Sequence, residues 1–319
     1  MMRRLLAVLL FVLCAGLASP AHAQSCSASP SGVAFGSVSP IALTAVNGTG
    51  TINITCTWPS VTLTPTVLVC LNLTGSSPRA MTNGSNQLTY DLYTDSGRTV
   101  KWGSAQAGGT PLSVTLTKPS GTTQTASVTI FGQIGANQPT VPSVNSSNTT
   151  YSETVPAGNT SLNYSFYLLV APTCASLATS NGTFSFTNTA TVINNCTITT
   201  TNMGFTASGV LKSALSASSS ITTRCTNGDS WRIALNGGSS GNVAARQMQR
   251  VGGGGAVNYQ LYSDSSFTTA WGDGTGGTSM VTGTGTGNQQ VISVFGRVPA
   301  QTTPQPGNYS DTITATITF

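Results

Sequence analysis

The sequence is poor in the side chains that do chemistry. Its one histidine, His22, falls in an N-terminal leader, so the mature chain has no imidazole for acid–base work or metal binding. Charged residues make up only 6% of the chain, and loss of Arg3 and Arg4 with the leader lowers the formal charge from +5 to +3. The arginines are scattered without a basic run, which argues against a nucleic-acid role. After the leader no stretch reaches the roughly 20 apolar residues of a membrane helix. No stretch holds helical periodicity with caps. Closely spaced cysteine pairs are missing as well, and with histidine absent a zinc site has no ligand set.

Met1 to Ala23 reads as a secretory signal. Arg3 and Arg4 form its basic start, Leu5 to Leu17 its apolar stretch and Ala21-His22-Ala23 its cleavage site, leaving Gln24 first in the mature chain. Lipid attachment at Cys14 is disfavoured because bulky Leu13 precedes it. Six cysteines remain: Cys26, Cys56, Cys70, Cys174, Cys196 and Cys225. An even number in an exported chain favours disulfides over metal thiolates.

What is abundant is Thr, Ser, Asn and Gly, with Val, Ile, Leu and Phe at alternate positions. Period-two runs recur between turn residues: Thr51 to Thr57, Leu112 to Thr117, Ala126 to Phe131, Leu162 to Val170, Val291 to Val298 and Thr312 to Phe319. The fold class expected is all-β. The module is present twice. Tyr90-Asp91-Leu92-Tyr93-Thr94-Asp95, leading to Trp102-Gly103, recurs 169 residues later as Tyr259-Gln260-Leu261-Tyr262-Ser263-Asp264, leading to Trp271-Gly272. Cys56 maps onto Cys225, Cys26 onto Cys196 and Phe131-Gly132 onto Phe295-Gly296. The repeat proposes bridges Cys26–Cys56 and Cys196–Cys225 and leaves Cys70–Cys174 by elimination, although sequence alone does not prove the connectivity. Two immunoglobulin-like sandwich domains are expected, at 24–178 and 179–319. Recurrence of Tyr90, Tyr93 and Trp102 as Tyr259, Tyr262 and Trp271 marks them as packing residues, and Asp95 and Asp264 as turn caps.

The copies differ in what precedes their first cysteine. Before Cys196 runs an alternating segment, Thr183 to Val192, with Phe184, Phe186, Asn188, Ala190 and Val192 on one face and Thr or Ser on the other. Before Cys26 stand only the leader and about two residues. The second copy ends on an amphipathic strand, with Ile313, Ala315, Ile317 and Phe319 on one face and no partner after it. A sandwich ending there lacks its last strand and exposes a groove with unpaired edges.

With these features the chain resembles the spore coat protein U domain family, which includes subunits of archaic chaperone–usher pili. The matching residues are the cysteine pairs about thirty residues apart, Phe35-Gly36 with Pro40, and the Tyr-x-Leu-Tyr-x-Asp runs. Phe131-Gly132-Gln133-Ile134, Phe295-Gly296-Arg297-Val298 and the closing Gly307-Asn308-Tyr309-Ser310-Asp311-Thr312 complete the set. The second copy departs at Met203-Gly204-Phe205, where the Phe-Gly-x-x-x-Pro element is expected.

The resemblance implies a pilin-type sandwich lacking its final strand and joined to its neighbour by donor-strand complementation. The partners it implies are a periplasmic chaperone, an outer-membrane usher, a neighbouring pilin and a surface receptor, with no cofactor and no enzymatic activity. It places the chain in a Gram-negative bacterium, exported through the periplasm to the cell surface. Residues 183–192 are then read as the donor strand of the first domain, and Ile313, Ala315, Ile317 and Phe319 as the acceptor edge of the second. The alternative for 183–192 is a Thr-rich linker or an unrelated strand. Ten extended residues span roughly 33 Å. Burying four apolar side chains at about 1–3 kcal/mol each does not outweigh ordering ten residues at about 1–2 kcal/mol each. The edge ladder and cover for the groove must supply the rest. One end accepting and the other offering nothing is the logic of a tip subunit that mediates surface attachment and biofilm formation. A secreted coat-like structural or matrix protein is the rival.

Trp58 and Val141 to Val144, beside prolines, are the candidate surface-binding residues. Val67 to Val69 and Leu168 to Val170 are expected to be core strands. Gly237-Gly238-Ser239-Ser240-Gly241 has the spacing of a nucleophile elbow but no histidine base, so it reads as a turn. Gly252 to Gly255 and Gly272 to Gly287 lack the Gly-Lys-Ser/Thr of a phosphate loop and read as hairpin loops. An extracellular hydrolase would need a carboxylate dyad, and the few Asp and Glu residues are dispersed in turns. No catalytic or metal site is expected.

Overall fold

A computed structural model describes residues 24–319 of the chain. The leader and its cleavage site lie outside the described residues. The described chain is built from strands, with 3-10 turns of three residues as its helical elements.

The first half contains β1 (Ser25–Val38), β2 (Val46–Thr57), β3 (Thr66–Leu73), β4 (Arg79–Asn83) and β5 (Asn86–Tyr93). It continues with β6 (Leu112–Thr117), β7 (Thr123–Ile134), β8 (Thr149–Val155), β9 (Thr160–Tyr167) and β10 (Phe186–Val192). Seven of these close into a ring in the order β1-β10-β8-β4-β5-β7-β2, and a three-stranded sheet β6-β3-β9 packs with it. The core is a single cluster that includes Ile52, Ile54, Val69, Leu71, Met81, Leu88 and Ile130. A plain two-sheet sandwich was expected; closure arises because β10 bridges the free edges of β1 and β8.

The second half contains β11 (Cys196–Thr200), β12 (Leu215–Cys225), β13 (Ser230–Leu235), β14 (Arg246–Arg250) and β15 (Ala256–Tyr262). Then come β16 (Val281–Thr284), β17 (Gln289–Val298), β18 (Tyr309–Ser310) and β19 (Ala315–Thr318). Its sheets are β11-β12-β17-β15-β14-β18 and β16-β13-β19, and the larger one remains open between β11 and β18. Its core is separate and is built around Ile233, Leu235, Leu261, Trp271 and Val298.

Three disulfides staple the chain: Cys26–Cys56, Cys70–Cys174 and Cys196–Cys225. The first and third join directly opposed residues of adjacent strands. The Asp95 carboxylate accepts from the Thr99 and Val100 N–H groups, and Asp264 from Thr268 and Thr269. These backbone donors hold both carboxyls below the usual range. Gly238–Ser240 is a 3-10 turn.

The halves meet through the loop between β7 and β8. Ser143 N–H donates to Asn227 O at 3.2 Å, the Asn227 amide to Thr140 O at 2.7 Å, and Ser230 N–H to Ser146 Oγ at 3.1 Å. The Ser143 hydroxyl donates to buried Asp229, whose carboxyl is pushed upward by burial. At Gly287 a Cβ would stand 1.7 Å from Pro139 O, so only glycine permits this approach.

Candidate functional site

β10 is flanked on both sides. It runs antiparallel to β8, from Phe186↔Val155 to Val192↔Thr149, and parallel to β1 at Ala34↔Thr189 and Val38↔Val192. Its alternation puts Phe186, Asn188, Ala190 and Val192 in the core, with Phe184 buried just before the strand. Phe184 and Phe186 stack on Trp102 with ring centroids 6.3 and 5.7 Å away. Thr160 Oγ1 accepts from the Phe184 N–H at 3.0 Å and donates to its carbonyl. A Cβ on Gly32 would lie 1.7 Å from Thr187 O, so the backbones of β1 and β10 need glycine there.

Asn188 is the polar member of the buried face, and both its amide nitrogen and its oxygen have a partner. Its Nδ2 donates to the Tyr90 hydroxyl at 2.7 Å, and its Oδ1 accepts from Val33 N–H at 2.8 Å. The register of β1 against β2 shifts between Ser31 and Ala34, a bulge that takes the Val33 N–H out of the ladder and toward Asn188. Tyr90 in turn donates to Glu153, which pairs with buried Arg79 at 3.1 Å. Burial, reinforced by the hydrogen bond to Glu153, pushes the Tyr90 phenol far above its ordinary value. The network holds β10 in one register, because a slip of one residue would turn Asn188 outward and strand two buried polar groups.

The second half reproduces this arrangement without the strand. Arg246 stands where Arg79 does, opposite Tyr259 as Arg79 is opposite Tyr90. It is wholly buried, donates to Asn236 O at 2.9 Å and to Gln260, and burial lowers its pKa. Tyr259 donates to Asp311 at 2.6 Å, and burial followed by that bond raises its phenol strongly. Burial works against ionisation of Asp311, but hydrogen bonds from Ser239, Tyr259 and Thr312 outweigh it and hold its carboxyl low. Met203 and Phe205 hold the places of Val33 and Phe35: both pairs lie so close over a glycine, Gly296 or Gly132, that a Cβ there would clash. Phe205 meets Tyr259 edge-on as Phe35 meets Tyr90.

Between β11 and β18, where β10 would sit in the first ring, lies a groove of about 930 Å³. Its floor is apolar, with Leu235, Met248, Val257, Leu261, Val294 and Val298. Of the four edge residues expected from sequence, Ile313 and Ala315 line the groove and Ile317 packs against the core opposite Ile233. Phe319 does not belong to the edge: it lies beyond the last pair, Arg232↔Thr318, and is half exposed. Met203, Phe205 and Tyr259 were not on that list. The repeat offset of 170 that carries Cys26 to Cys196 carries Val33 and Phe35 onto Met203 and Phe205.

Two of the three candidate surface-binding residues are corrected. Trp58 is fully buried against Phe166, and its backbone N–H donates to Thr122 O at 2.8 Å. Val141 is buried, whereas Val144, in the loop that docks on the second half, is exposed as expected. The most exposed aliphatics lie elsewhere. β9 ends at Tyr167, so Leu168, Leu169 and Val170 leave the core strand expected for them, and Leu169 is 87% exposed. Val61 and Leu63, between β2 and β3, are also exposed. The pairs Ser25↔Thr57 and Thr66↔Tyr167 put both loops at the end of the ring where β1 begins, opposite the joint at Val38 and Val192. Among the described residues no group of His, Cys, Asp or Glu is placed to hold a metal.

Comparison with known proteins places the chain. Protein U of Myxococcus xanthus is 37% identical over 82 residues, covering 26% of this chain and 45% of that protein, so the match spans about half the relative's length. Among solved structures, the chaperone–tip adhesion subunit pre-assembly complex CsuC–CsuE, from archaic chaperone–usher Csu pili of Acinetobacter baumannii, aligns over 92% of this chain. All of the matched chain is covered, at 16% identity and a TM-score of 0.48. The CupB6 tip adhesin of Pseudomonas aeruginosa aligns over 92% of this chain and 95% of its own, at 9% identity and a TM-score of 0.39. Residues 14–158 and 181–316 both match the Spore Coat Protein U domain model, and the chain belongs to that family, with two copies of the domain in tandem.

Proposed function

We propose that the chain is the tip subunit of an archaic chaperone–usher fimbria, mediating surface attachment and biofilm formation and joined to the pilus by donor-strand complementation. One observation carries the reading. The first ring is completed by β10, whereas the second sheet is open at the matching place over a groove that exposes apolar core residues. An extended strand entering between β11 and β18 would pair on both edges and bury alternate side chains, the strand-addition mode of recognition. β1 is committed to β2 from Ser25 onward, and β10 is already placed. The described chain therefore accepts a strand without offering one. The expected partners are a periplasmic chaperone that covers the groove, an outer-membrane usher, and the N-terminal strand of the next pilin. At the opposite pole the aliphatic loops around Leu169 and Val61 supply the attachment surface, since exposed apolar patches mark interaction sites. No reaction is assigned.

Co-expression with the cognate periplasmic chaperone tests the assignment. A one-to-one complex that dissociates when a pilin N-terminal peptide is added is the expected result. A chain that stays monomeric and ignores both chaperone and peptide would sink it. The family description, Spore Coat Protein U domain, favours a second reading, a secreted coat or matrix component. Such a building block joins neighbours at both ends, whereas a tip subunit labels one filament end in micrographs.

A further inference from the structure

We propose that the second groove selects a strand with aliphatic side chains at its two leading inward positions, and so rejects the chain's own connector. The inference rests on the acceptor reading above and specifies the chemistry of the strand accepted.

The connector's leading residues are fitted to features of the first ring that the second lacks. Phe184 and Phe186 lie nearly parallel to the Trp102 ring, at interplanar angles of 11° and 13°. Trp271 has the same place in the second half: its indole N–H donates to Ile233 O at 3.0 Å, as that of Trp102 donates to Leu71 O at 2.8 Å. Yet Trp271 is 0% exposed with the groove open, and it forms no part of the groove wall. Trp271 therefore offers no ring face on which two phenyl groups could stack.

The backbone clamp is missing too. Thr160 grips the N–H and carbonyl of Phe184. The residue opposite Leu73 is Thr160, and the residue opposite its counterpart Leu235 is Ala315, which has no hydroxyl. Asn188 does not discriminate between the grooves, because Tyr259 keeps the place of Tyr90 and lines the groove. At the place of the Thr160 clamp the groove is lined by Leu235, Leu261, Ile313 and Ala315, and side chains larger than the space there force neighbours off their rotamers. This mismatch keeps the connector of one copy out of the second domain of another and so opposes self-polymerisation, a repulsive element of specificity.

Two ten-residue peptides titrated into the full mature chain test the proposal. One has the sequence of residues 183–192; the other is the same with Phe184→Val and Phe186→Val. The valine peptide is expected to bind about ten-fold tighter or better, the penalty of overpacking expressed as a ratio of Kd values, and to raise the melting temperature of the second domain. Equal binding, or preference for the unaltered peptide, overturns the selectivity and leaves the acceptor reading standing. If neither peptide binds or shifts the melting temperature, the acceptor reading falls and this inference with it.

Discussion

The two halves share a strand plan, a buried Tyr–Trp pair and a cross-strand disulfide, yet one is closed and the other open. In the first, β8 is seven residues long and β1 fourteen, and both are zipped to β10. In the second, the matching strands shrink to two residues in β18 and five in β11. Strand length here follows from having a partner. A strand whose edge is unpaired loses the ladder that offsets its conformational entropy. The comparison teaches that the same strand plan closes where the connector supplies β10 and stays open where no such strand is placed.

The comparison can be broken most sharply at Phe186. Phe186→Asp puts a charge on the face that stacks on Trp102, and about 4 kcal/mol or more of first-ring stability should be lost. The second half, with its own core, should unfold at its usual denaturant concentration. Urea titration followed by probes in each half checks this, and loss in both halves together would show that the cores are not independent.

A smaller effect is expected at Asp311. Its folded-state pKa lies below the ordinary 3.8, so its contribution to stability is present above that value and is lost as pH falls through the folded one. Asp311→Asn should flatten the acid limb of second-half unfolding and leave that of the first half unchanged. Unfolding midpoints at pH 2 to 6 for the two proteins make the measurement. An unaltered acid limb would count against the network around Tyr259.

The smallest effect on stability is expected at the distal loop. Leu169 is exposed, so Leu169→Asp should change stability by no more than about 0.5 kcal/mol. Attachment of intact fimbriae to hydrophobic beads should drop, while chaperone binding by the second half persists. Undiminished attachment would remove this loop from the adhesive surface.

Much of this was legible in the chain because it is written locally. Alternation of Thr with apolar residues specifies strands and their buried faces, and it put Phe186, Asn188, Ala190 and Val192 on one side of β10. The repeat pointed to equivalent cysteines, and the bridges join the same pairs. The surface candidates failed for a physical reason. An apolar residue next to a proline has the same local signature whether the turn points it out or folds it in. Trp58 is covered by Phe166, 108 positions away, and Val141 joins the core of the first half. Leu168 to Val170 continue the alternation of β9 but run past its last partner, Thr66.

Composition and periodicity alone determined a disulfide-bearing, all-β chain with a duplicated module and an alternating connector. Those properties depend on residue types and on spacings of two, which need no knowledge of neighbours in space. Tertiary structure alone decided that one sheet closes and the other gapes, that Asn188 is satisfied by Tyr90 and Val33, and that Trp271 is hidden while Leu169 stands out. Each of these depends on which distant backbone edge or ring lies within a few ångströms, and contact at that range is set by chain topology.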